Sequence, residues 1–324
     1  METPQEYLNT LSEGLADAVA AAEASVVSVH GRRRLPGTGT VWQAADKTFV
    51  VTASHIVERE ENLAISNGDG ELVAATLLSR DFGTDLAVLR VDDLKGTPIT
   101  LRTAPARVGN LVLAIGRPFG VTSATFGSIT TIGSIRFRHF QTPTLIHAET
   151  TPLPGFSGGP LIDATGAAIG INTSGLMRRG RPLGGATGLV TIPTAQVDAI
   201  VSDIVEYGHV RYGWVGVSIQ QVELPESARE AFNEQEIGLL ITSVAAGSPA
   251  ANAGIVVGDI LVSMGEQALT DVADLQHLLG GRQIGTPIAV NLLRGGSQVT
   301  LEVTPAERPE RTEEERERRG PRRS

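Results

Sequence analysis

The sequence predicts a mainly β protein in which two antiparallel β-barrels precede a smaller α+β domain. Short apolar strands separated by turns recur from residue 26 to about residue 192, as in barrel proteins. The pattern changes at Gly213, where glycine-bounded apolar segments lead to a helical stretch at 271–279. A chain of 324 residues with 37 glycines and 17 prolines has room for two globular domains with many turns.

Composition excludes several classes of function. The formal net charge of -9 argues against a general nucleic-acid surface, and the absence of cysteine excludes disulfides, thiol catalysis and Cys-based zinc sites. The sequence has no apolar run of membrane-spanning length and no basic start followed by an apolar core. We therefore expect no membrane span and a cytoplasmic location, or an extracytoplasmic one if Met1 follows a removed export signal.

The chain begins with a predicted amphipathic helix at residues 3–24. Thr3 is placed to cap it, and Pro4 lies in its first turn. One face is apolar and carries Leu8, Leu11, Leu15, Val19 and Ala22. This face could pack on the rest of the chain or on another subunit, or the segment could be a partly ordered leader.

The predicted strands divide between the two barrels. Those of the first series are 26–29, 38–42, 48–54, 72–78, 86–91 and 111–115. The second barrel is expected at about 122–192, with strands at 128–132 and 144–149 and a hairpin after Ser157. A helix capped by Thr194 and ending at Gly208 closes this part of the chain.

The segment PGFSGGPL at 154–161 places Ser157 between glycines. Glycines allow a sharp turn in which backbone N–H groups converge beside the hydroxyl, which is how an oxyanion hole is built. The same sequence is also typical of an ordinary tight turn. Because a serine hydroxyl is a weak nucleophile without a base, the interpretation depends on a histidine and a carboxylate elsewhere.

His55 and Asp85 supply those two groups. His55 follows an apolar strand, and Asp85 directly precedes another, where an unpaired charge would be costly. Each residue alone has an ordinary explanation, as a strand-end histidine or a turn aspartate. Together with Ser157, in the order His, Asp, Ser, they predict a catalytic triad.

Residues 155–159 also match the G-x-S-x-G pattern of α/β-hydrolases. That pattern needs a strand before the serine and a helix after it. Here Pro152 and Pro154 precede the serine, and two short apolar runs around a turn follow it. The surroundings and the order of the triad argue against an α/β-hydrolase.

Five motifs together resemble the HtrA/Deg family of serine proteases. They are VVTASHIV at 50–57, RDFGTDLAVL at 80–89, AIGRPFG at 114–120, PGFSGGPL at 154–161 and IGINT at 169–173. The resemblance covers residues 25 to 305 and implies a chymotrypsin-like double β-barrel followed by a PDZ domain. The implied segments are an N-terminal helix (1–24), a protease domain (25–208), a PDZ domain (213–305) and a charged disordered tail (306–324).

The resemblance implies a serine endopeptidase that cleaves unfolded or misfolded proteins in protein quality control, with no metal or other cofactor. His55 would take the proton of Ser157, and Asp85 would orient the imidazole. Backbone N–H groups of Gly155 and Ser157 would form the oxyanion hole. Family members often assemble through N-terminal segments, so a homotrimer or higher homo-oligomer is expected.

Two binding regions follow from the same resemblance. The residues expected to line the specificity pocket are Pro152, Leu189, Val190 and Thr191. Leu189 stands where the family usually has glycine, which would favour small or medium aliphatic side chains before the scissile bond. Peptides with free C-termini are expected to add a strand beside the segment formed by Trp214, Val215, Gly216 and Val217.

Phe156 departs from the family, which commonly has asparagine beside the nucleophile. Without that polar anchor the serine loop could rest with no oxyanion hole until a ligand or oligomer contact rebuilds it. Alternatively, Phe156 could pack inside and fix an active loop. A second hypothesis for function is a peptide-binding scaffold or chaperone with a dormant protease fold, although the complete triad argues against it.

Overall fold

The computed structural model describes residues 3–33, 35–68, 70–134, 136–137, 140–141, 144–175, 189–279 and 283–309. The chain forms two compact units, Met1–Val210 and Arg211–Ser324. Both are built mainly from antiparallel strands, in agreement with the predicted fold class. None of the helices in the described part of the chain is long and apolar enough to cross a membrane.

Among the residues that the structure describes, the first unit has the helices α1 (Pro4–Glu23) and α2 (Thr194–Tyr207). The strands in the first half of its sequence are β1 (Val26–His30), β2 (Gly37–Ala44), β3 (Lys47–Ala53), β4 (Ala64–Ser66), β5 (Val73–Ala74), β6 (Thr76–Asp81) and β7 (Leu86–Arg90). The remaining strands are β8 (Leu111–Gly116), β9 (Ser123–Gly133), β10 (Arg136–Phe137), β11 (Phe140–Gln141), β12 (Leu145–Glu149), β13 (Pro160–Asp163), β14 (Ala168–Thr173) and β15 (Leu189–Pro193).

Helix α1 begins as the sequence predicts. The hydroxyl of Thr3 accepts the N–H of Glu6, and the Glu6 carboxylate accepts the N–H of Thr3 at 2.6 Å, which forms a capping box. The C-terminal half of the helix packs on the core, while Leu8 and Leu11 remain 63% and 48% exposed. Only part of the predicted apolar face is therefore buried within this chain.

The first sheet has the strand order β5-β4-β1-β2-β3-β7-β6 and is antiparallel throughout. Ala53 at the end of β3 pairs with Leu86 at the start of β7. A 3₁₀ turn, Ser54–Ile56, follows β3 directly and carries His55. This register places His55 beside Asp85 because each residue lies just beyond one of the paired strand ends.

The second sheet is a closed barrel with the order β12-β15-β14-β13-β8-β9. Strand β8 pairs with β9 and β13, so the predicted strand 111–115 belongs to this barrel and its assignment to the first series was wrong. A run of apolar strands does not reveal which sheet each strand joins. The hairpin predicted after Ser157 is present as β13 and β14.

Helix α2 closes the first unit and ends at Gly208, whose φ of 80° is left-handed. Its apolar face, from Val197 to Ile204, packs into the core. Thr194 is the first helical residue, and Pro193 occupies the capping position that was predicted for it. Strand β15 ends at Pro193, whose ψ of 146° is extended, and the helix begins at the next residue, so Thr194 is already helical and cannot be the cap.

The second unit has the helices α3 (Glu226–Arg229), α4 (Pro249–Asn252) and α5 (Val272–Leu278). Its strands are β16 (Gly213–Trp214), β17 (Val217–Glu223), β18 (Ile237–Val244), β19 (Ile260–Met264), β20 (Gln267–Ala268), β21 (Ile288–Arg294), β22 (Ser297–Val303) and β23 (Ala306–Glu307). The main sheet has the order β17-β18-β19-β21-β22, so β17 is an edge strand.

Strand β23 pairs with β16, through Ala306 opposite Trp214. These first residues of the predicted charged tail are therefore part of the fold, because a backbone strand pairing does not require apolar periodicity. The rest of the predicted tail, from residue 310, lies outside the described residues.

An ion pair in the second unit joins the buried Asp259, just before β19, to the partly exposed Arg294 at the end of β21. Arg294 donates from Nε to Asp259 Oδ1 and from a terminal nitrogen to Oδ2, both at 2.8 Å. Burial by itself would raise the pKa of Asp259, but the hydrogen bonds from Arg294 and from the N–H of Val256 outweigh it and lower that pKa. Arg294 therefore balances the charge of a carboxylate that is 1% exposed.

His147 on β12 is expected to make the stability of the first unit depend on pH. Its side chain is buried, and no described residue hydrogen-bonds its Nε2. Burial lowers its pKa below the ordinary value of 6.5, so the unfolded chain binds this proton more readily than the folded protein. As the pH falls below 6.5, the free energy of unfolding should decrease, by at most about 1.4 kcal/mol per pH unit for this one proton.

Urea unfolding of the full chain at about pH 7.5 and about pH 5.5 measures this effect, and His147→Gln should reduce the difference. Some dependence should remain, because burial also lowers the pKa of His30. His209→Gln is the matched control, since His209 is exposed and its replacement should leave the difference intact. An unchanged pH dependence in His147→Gln would contradict the assignment.

Candidate active site

The most closely held pair in the site is His55 and Asp85. His55 Nδ1 lies 2.6 Å from Asp85 Oδ2, and the backbone N–H of His55 donates to Asp85 Oδ1 at 3.1 Å. A carboxylate can only accept, so Nδ1 carries the hydrogen and Nε2 is left as the acceptor. The imidazole is therefore oriented with its basic nitrogen away from Asp85.

The turn before Asp85 is fixed by Asp81. Its carboxylate accepts the N–H of Gly83 at 2.8 Å, the N–H of Thr84 at 3.1 Å and the Thr84 hydroxyl at 2.7 Å. These bonds hold a turn in which Asp85 adopts a φ of 62°, a left-handed conformation that aspartate tolerates better than most residues. Asp81 is thus a positioning residue for Asp85.

A second side chain, Thr173, contacts the same carboxylate. Its hydroxyl donates to Asp85 Oδ2, which also receives the hydrogen bond from His55. Thr173 is the last residue of β14, in the second barrel, whereas Asp85 comes from the first sheet. The carboxylate therefore links the two sheets of the first unit.

The serine loop runs between backbone segments that leave no space for side chains. A Cβ atom on Gly158 would lie 2.0 Å from the carbonyl oxygen of Thr38, and one on Gly159 would lie 2.0 Å from that of Ile115. Gly158 also has a φ of 90°. Both glycines are required here by close approach, and Gly158 by its conformation as well.

Thr38 holds the loop on both sides of Phe156, through the carbonyls of Gly155 and Ser157. Its hydroxyl donates to the carbonyl of Gly155 at 2.7 Å, and its N–H donates to the carbonyl of Ser157 at 3.1 Å. Its hydroxyl in turn accepts the N–H of Arg117 at 2.9 Å. Among the described residues, no hydrogen bond uses the N–H of Gly155 or of Ser157.

Phe156 lies inside the second barrel and is 1% exposed. It packs with the aliphatic side chains Val112, Ala114, Ile129, Ile146, Ala148, Leu161 and Ile169. Its ring lies so close to Gly116 that a Cβ atom there would be 2.3 Å from the ring. The ring is packed inside, as the second of the two alternatives requires. That this packing fixes an active serine loop stays a prediction.

Ser157 and His55 are linked through a third residue. Ser157 Oγ lies 3.1 Å from Ser174 Oγ, and Ser174 Oγ lies 3.4 Å from His55 Nε2. The hydrogen bonds of the described residues include none that joins Ser157 directly to His55. The three predicted residues thus converge on one site, with Ser174 between two of them.

In the second unit, the segment Trp214 to Val217 turns at Gly216, which has a φ of 83°. A Cβ atom there would lie 2.2 Å from Ser248. The carbonyls of Val215 and Gly216 accept the N–H groups of Ala250 and Ala245, which fixes the segment against the fold. It leads directly into the edge strand β17.

Comparison with known proteins identifies both units. The family model for trypsin-like peptidase domains matches residues 37–171, and the PDZ domain model matches residues 213–304. The chain is 30% identical over 273 residues to the periplasmic pH-dependent serine endoprotease DegQ of Escherichia coli K12. It is 31% identical over 269 residues to the periplasmic serine endoprotease DegP of the same strain.

The chain belongs to the HtrA/Deg family of serine proteases. The alignments cover 83% and 82% of the chain but only 58% and 56% of DegQ and DegP, so it spans somewhat more than half the length of these relatives. The solved HtrA-type protease AlgW with a decapeptide matches with a TM-score of 0.72 at 26% identity, over 92% of this chain and 99% of that one. A serine endoprotease from Yersinia pestis matches with a TM-score of 0.69 at 27% identity, over 91% and 98%.

These matches confirm the predicted fold class, a chymotrypsin-like double barrel followed by a PDZ domain. In this HtrA/Deg chain, the first sheet is open in its hydrogen-bond order among the described residues, and the second is closed. The two domain matches fall within different compact units.

The predicted specificity pocket of this HtrA/Deg chain remains a prediction. Pro152 is exposed in the segment before the serine loop, and Val190 and Thr191 are buried on β15. Val190 pairs with Thr173, the residue whose hydroxyl donates to the Asp85 carboxylate. The side chain of Leu189, on which the predicted preference depends, lies outside the described residues.

Sequence reasoning missed Asp81, Thr173, Ser174 and Thr38 as parts of the site. Asp81 and Thr173 lie inside motifs that the sequence analysis quoted, but in those two motifs only Asp85 was assigned a role. Within the described residues, no three His, Asp or Glu side chains are grouped as a metal site.

Proposed function

We propose that this chain is a serine endopeptidase in which His55, Asp85 and Ser157 form the catalytic triad. The observation that carries the proposal is the hydrogen bond of 2.6 Å between His55 Nδ1 and Asp85 Oδ2, which leaves Nε2 as a base facing the serine loop. The membership of the chain in the HtrA/Deg family supports the same activity.

In the proposed reaction, Ser157 Oγ attacks the carbonyl carbon of a peptide bond while its proton passes to His55 Nε2. Asp85 holds the imidazole in place and stabilises its positive charge. The oxyanion accepts hydrogen bonds from the N–H groups of Gly155 and Ser157, each worth about 3 kcal/mol in the transition state. The imidazolium then protonates the leaving amine, and water hydrolyses the acyl enzyme.

The proposed substrates are unfolded or misfolded proteins, as in protein quality control. An extended chain fits a site formed between two sheets, and the exposed segment around Pro152 offers a surface beside the nucleophile. The proposed pocket, formed by Pro152, Leu189, Val190 and Thr191, would select small or medium aliphatic side chains.

The PDZ domain is proposed to bind peptides with free C-termini. Strand β17 is an edge of its sheet, so an extended peptide can pair with it while the segment Trp214 to Val217 holds the carboxylate. Two exposed leucines on α1, Leu8 and Leu11, support assembly into a homo-oligomer. DegP and DegQ are named periplasmic, which favours an extracytoplasmic location over the cytoplasmic expectation.

The test is cleavage of a loosely folded protein such as casein by the full chain and by Ser157→Ala. We expect the fragments to disappear in Ser157→Ala, because the nucleophile is lost. Ser202→Ala on the exposed face of α2 is the matched control and should cleave at the original rate. Cleavage by Ser157→Ala at that rate would remove Ser157 from the mechanism.

The same assay includes peptides that end in a free apolar carboxylate. Faster cleavage in their presence would support control through the PDZ groove, and an unchanged rate with no detectable binding would contradict the proposed groove. If the unaltered chain cleaves nothing but suppresses aggregation, the scaffold hypothesis would replace the endopeptidase.

A further inference from the structure

Ser174 occupies a position that the proposed triad leaves unassigned. Its hydroxyl is 3.1 Å from the nucleophile, Ser157 Oγ, and 3.4 Å from the base, His55 Nε2. Its backbone N–H also points at Ser157 Oγ, at 3.3 Å. One residue therefore makes three hydrogen bonds to the two groups between which a proton must pass.

The direction of these hydrogen bonds follows from Asp85. Because His55 Nδ1 donates to Asp85, Nε2 can only accept, and Ser174 Oγ must be the donor to it. With its own hydrogen used in this way, Ser174 Oγ accepts from Ser157. Ser157 Oγ in turn accepts the N–H of Ser174. Every donor and acceptor is used once, and the chain runs from Ser157 through Ser174 to His55.

The position of Ser174 is fixed by its neighbours. Thr173 before it donates to Asp85, and Gly175 after it donates its N–H to the Thr173 hydroxyl at 3.0 Å. A Cβ atom on Gly175 would lie 2.2 Å from the Asp85 carboxylate. The backbone on both sides of Ser174 is thus held against the carboxylate that orients the base.

We propose that Ser174 is a catalytic residue that relays the proton of Ser157 to His55. A general base must reach the proton directly or through one intervening group, and the Ser174 hydroxyl is placed to be that group. The proposal rests on the proposed function, since it requires Ser157 to be the nucleophile.

The relay conserves atoms and charge. As Ser157 Oγ bonds to the substrate's carbonyl carbon, its O–H bond breaks and the proton moves to Ser174 Oγ. The original proton of Ser174 moves at the same time to His55 Nε2, so Ser174 ends as a neutral hydroxyl. After the relay, Ser157 Oγ is bonded to the substrate's carbonyl carbon and His55 is an imidazolium beside Asp85. Ser174 is again a neutral hydroxyl, as it was before the step.

The test measures acylation by a p-nitrophenyl ester and hydrolysis of a chromogenic peptide amide, both with the full chain. Ser174→Ala should lower the acylation rate and kcat by about 10-fold or more, because general base assistance is worth about 100-fold or more. KM should change less than kcat. Ser174→Thr keeps a hydroxyl at this position and should restore much of the lost rate, whereas Ser202→Ala should have no effect.

Rates in mixtures of light and heavy water separate a relay from a structural role. Two protons in flight make the acylation rate of the unaltered chain curve with the deuterium fraction, and Ser174→Ala should make the plot straight. An acylation rate in Ser174→Ala equal to or above the original would overturn the relay. If the unaltered chain fails to react, or reacts equally as Ser157→Ala, the proposed function itself fails.

Discussion

Asp85→Asn is expected to lower kcat by about 10,000-fold while the protein remains folded. The left-handed conformation of residue 85 suits asparagine as well as aspartate. The backbone N–H of His55 requires an oxygen at the position of Oδ1, so the amide nitrogen must replace Oδ2 and face His55 Nδ1. Nδ1 then has to accept, and the imidazole hydrogen moves to Nε2.

With a hydrogen on Nε2, His55 can no longer take a proton from the serine loop. The measurement is kcat for a peptide amide at neutral pH, together with a thermal unfolding curve for each variant. Asp92→Asn, which removes a highly exposed carboxylate after β7, is the matched control and should retain the original kcat. A kcat within tenfold of the original in Asp85→Asn would show that this carboxylate does not set the tautomer.

Phe156→Ala is expected to cost about 3–5 kcal/mol of unfolding free energy, as for other buried aromatic side chains. The ring is 1% exposed inside the second barrel, and its loss leaves a cavity beside Gly116. Because residue 156 lies between Gly155 and Ser157, the same change releases both proposed oxyanion donors. We therefore expect kcat to fall by about 100-fold or more, as for the loss of one such donor.

Urea unfolding and peptide hydrolysis measure the two effects on the same samples, at a denaturant concentration where the variant is folded. Phe126→Ala is the control, since Phe126 is on β9 of the same barrel but 49% exposed. It should change both quantities little. If Phe156→Ala unfolds at the original urea concentration, the ring does not anchor the loop.

The sequence was sufficient to predict candidate site residues that lie in recognisable local motifs. His55, Asp85 and Ser157, which the structure brings together, could be proposed as a triad because each lies at a recognisable strand end or glycine turn. The apolar periodicity of α1 and α2 and the hairpin after the nucleophile were predicted for the same reason. The strands of the barrels were also predictable, although their boundaries moved by up to five residues.

The parts that were missed depend on contacts between distant segments. Thr38 and Gly155 are 117 residues apart, and Thr173 and Asp85 are 88 apart. The sequence around Thr38 does not indicate that its hydroxyl hydrogen-bonds to the serine loop, because that contact depends on the register between two sheets. The barrel membership of β8 was missed for the same reason, since strand pairing is a property of the whole fold.

The glycines around the nucleophile make this part of the chain stiff. Glycine usually gives a chain conformational freedom. Gly158 and Gly159 instead lie in direct contact with the backbone of other segments, so there is no flexible side chain between them that could adjust. The carbonyls of Gly155 and Ser157 are also tied to Thr38. Because these glycines have no side chains, the serine loop can lie directly against the backbone at Thr38 and at Ile115. The hydroxyl of Ser157 lies where these three segments meet.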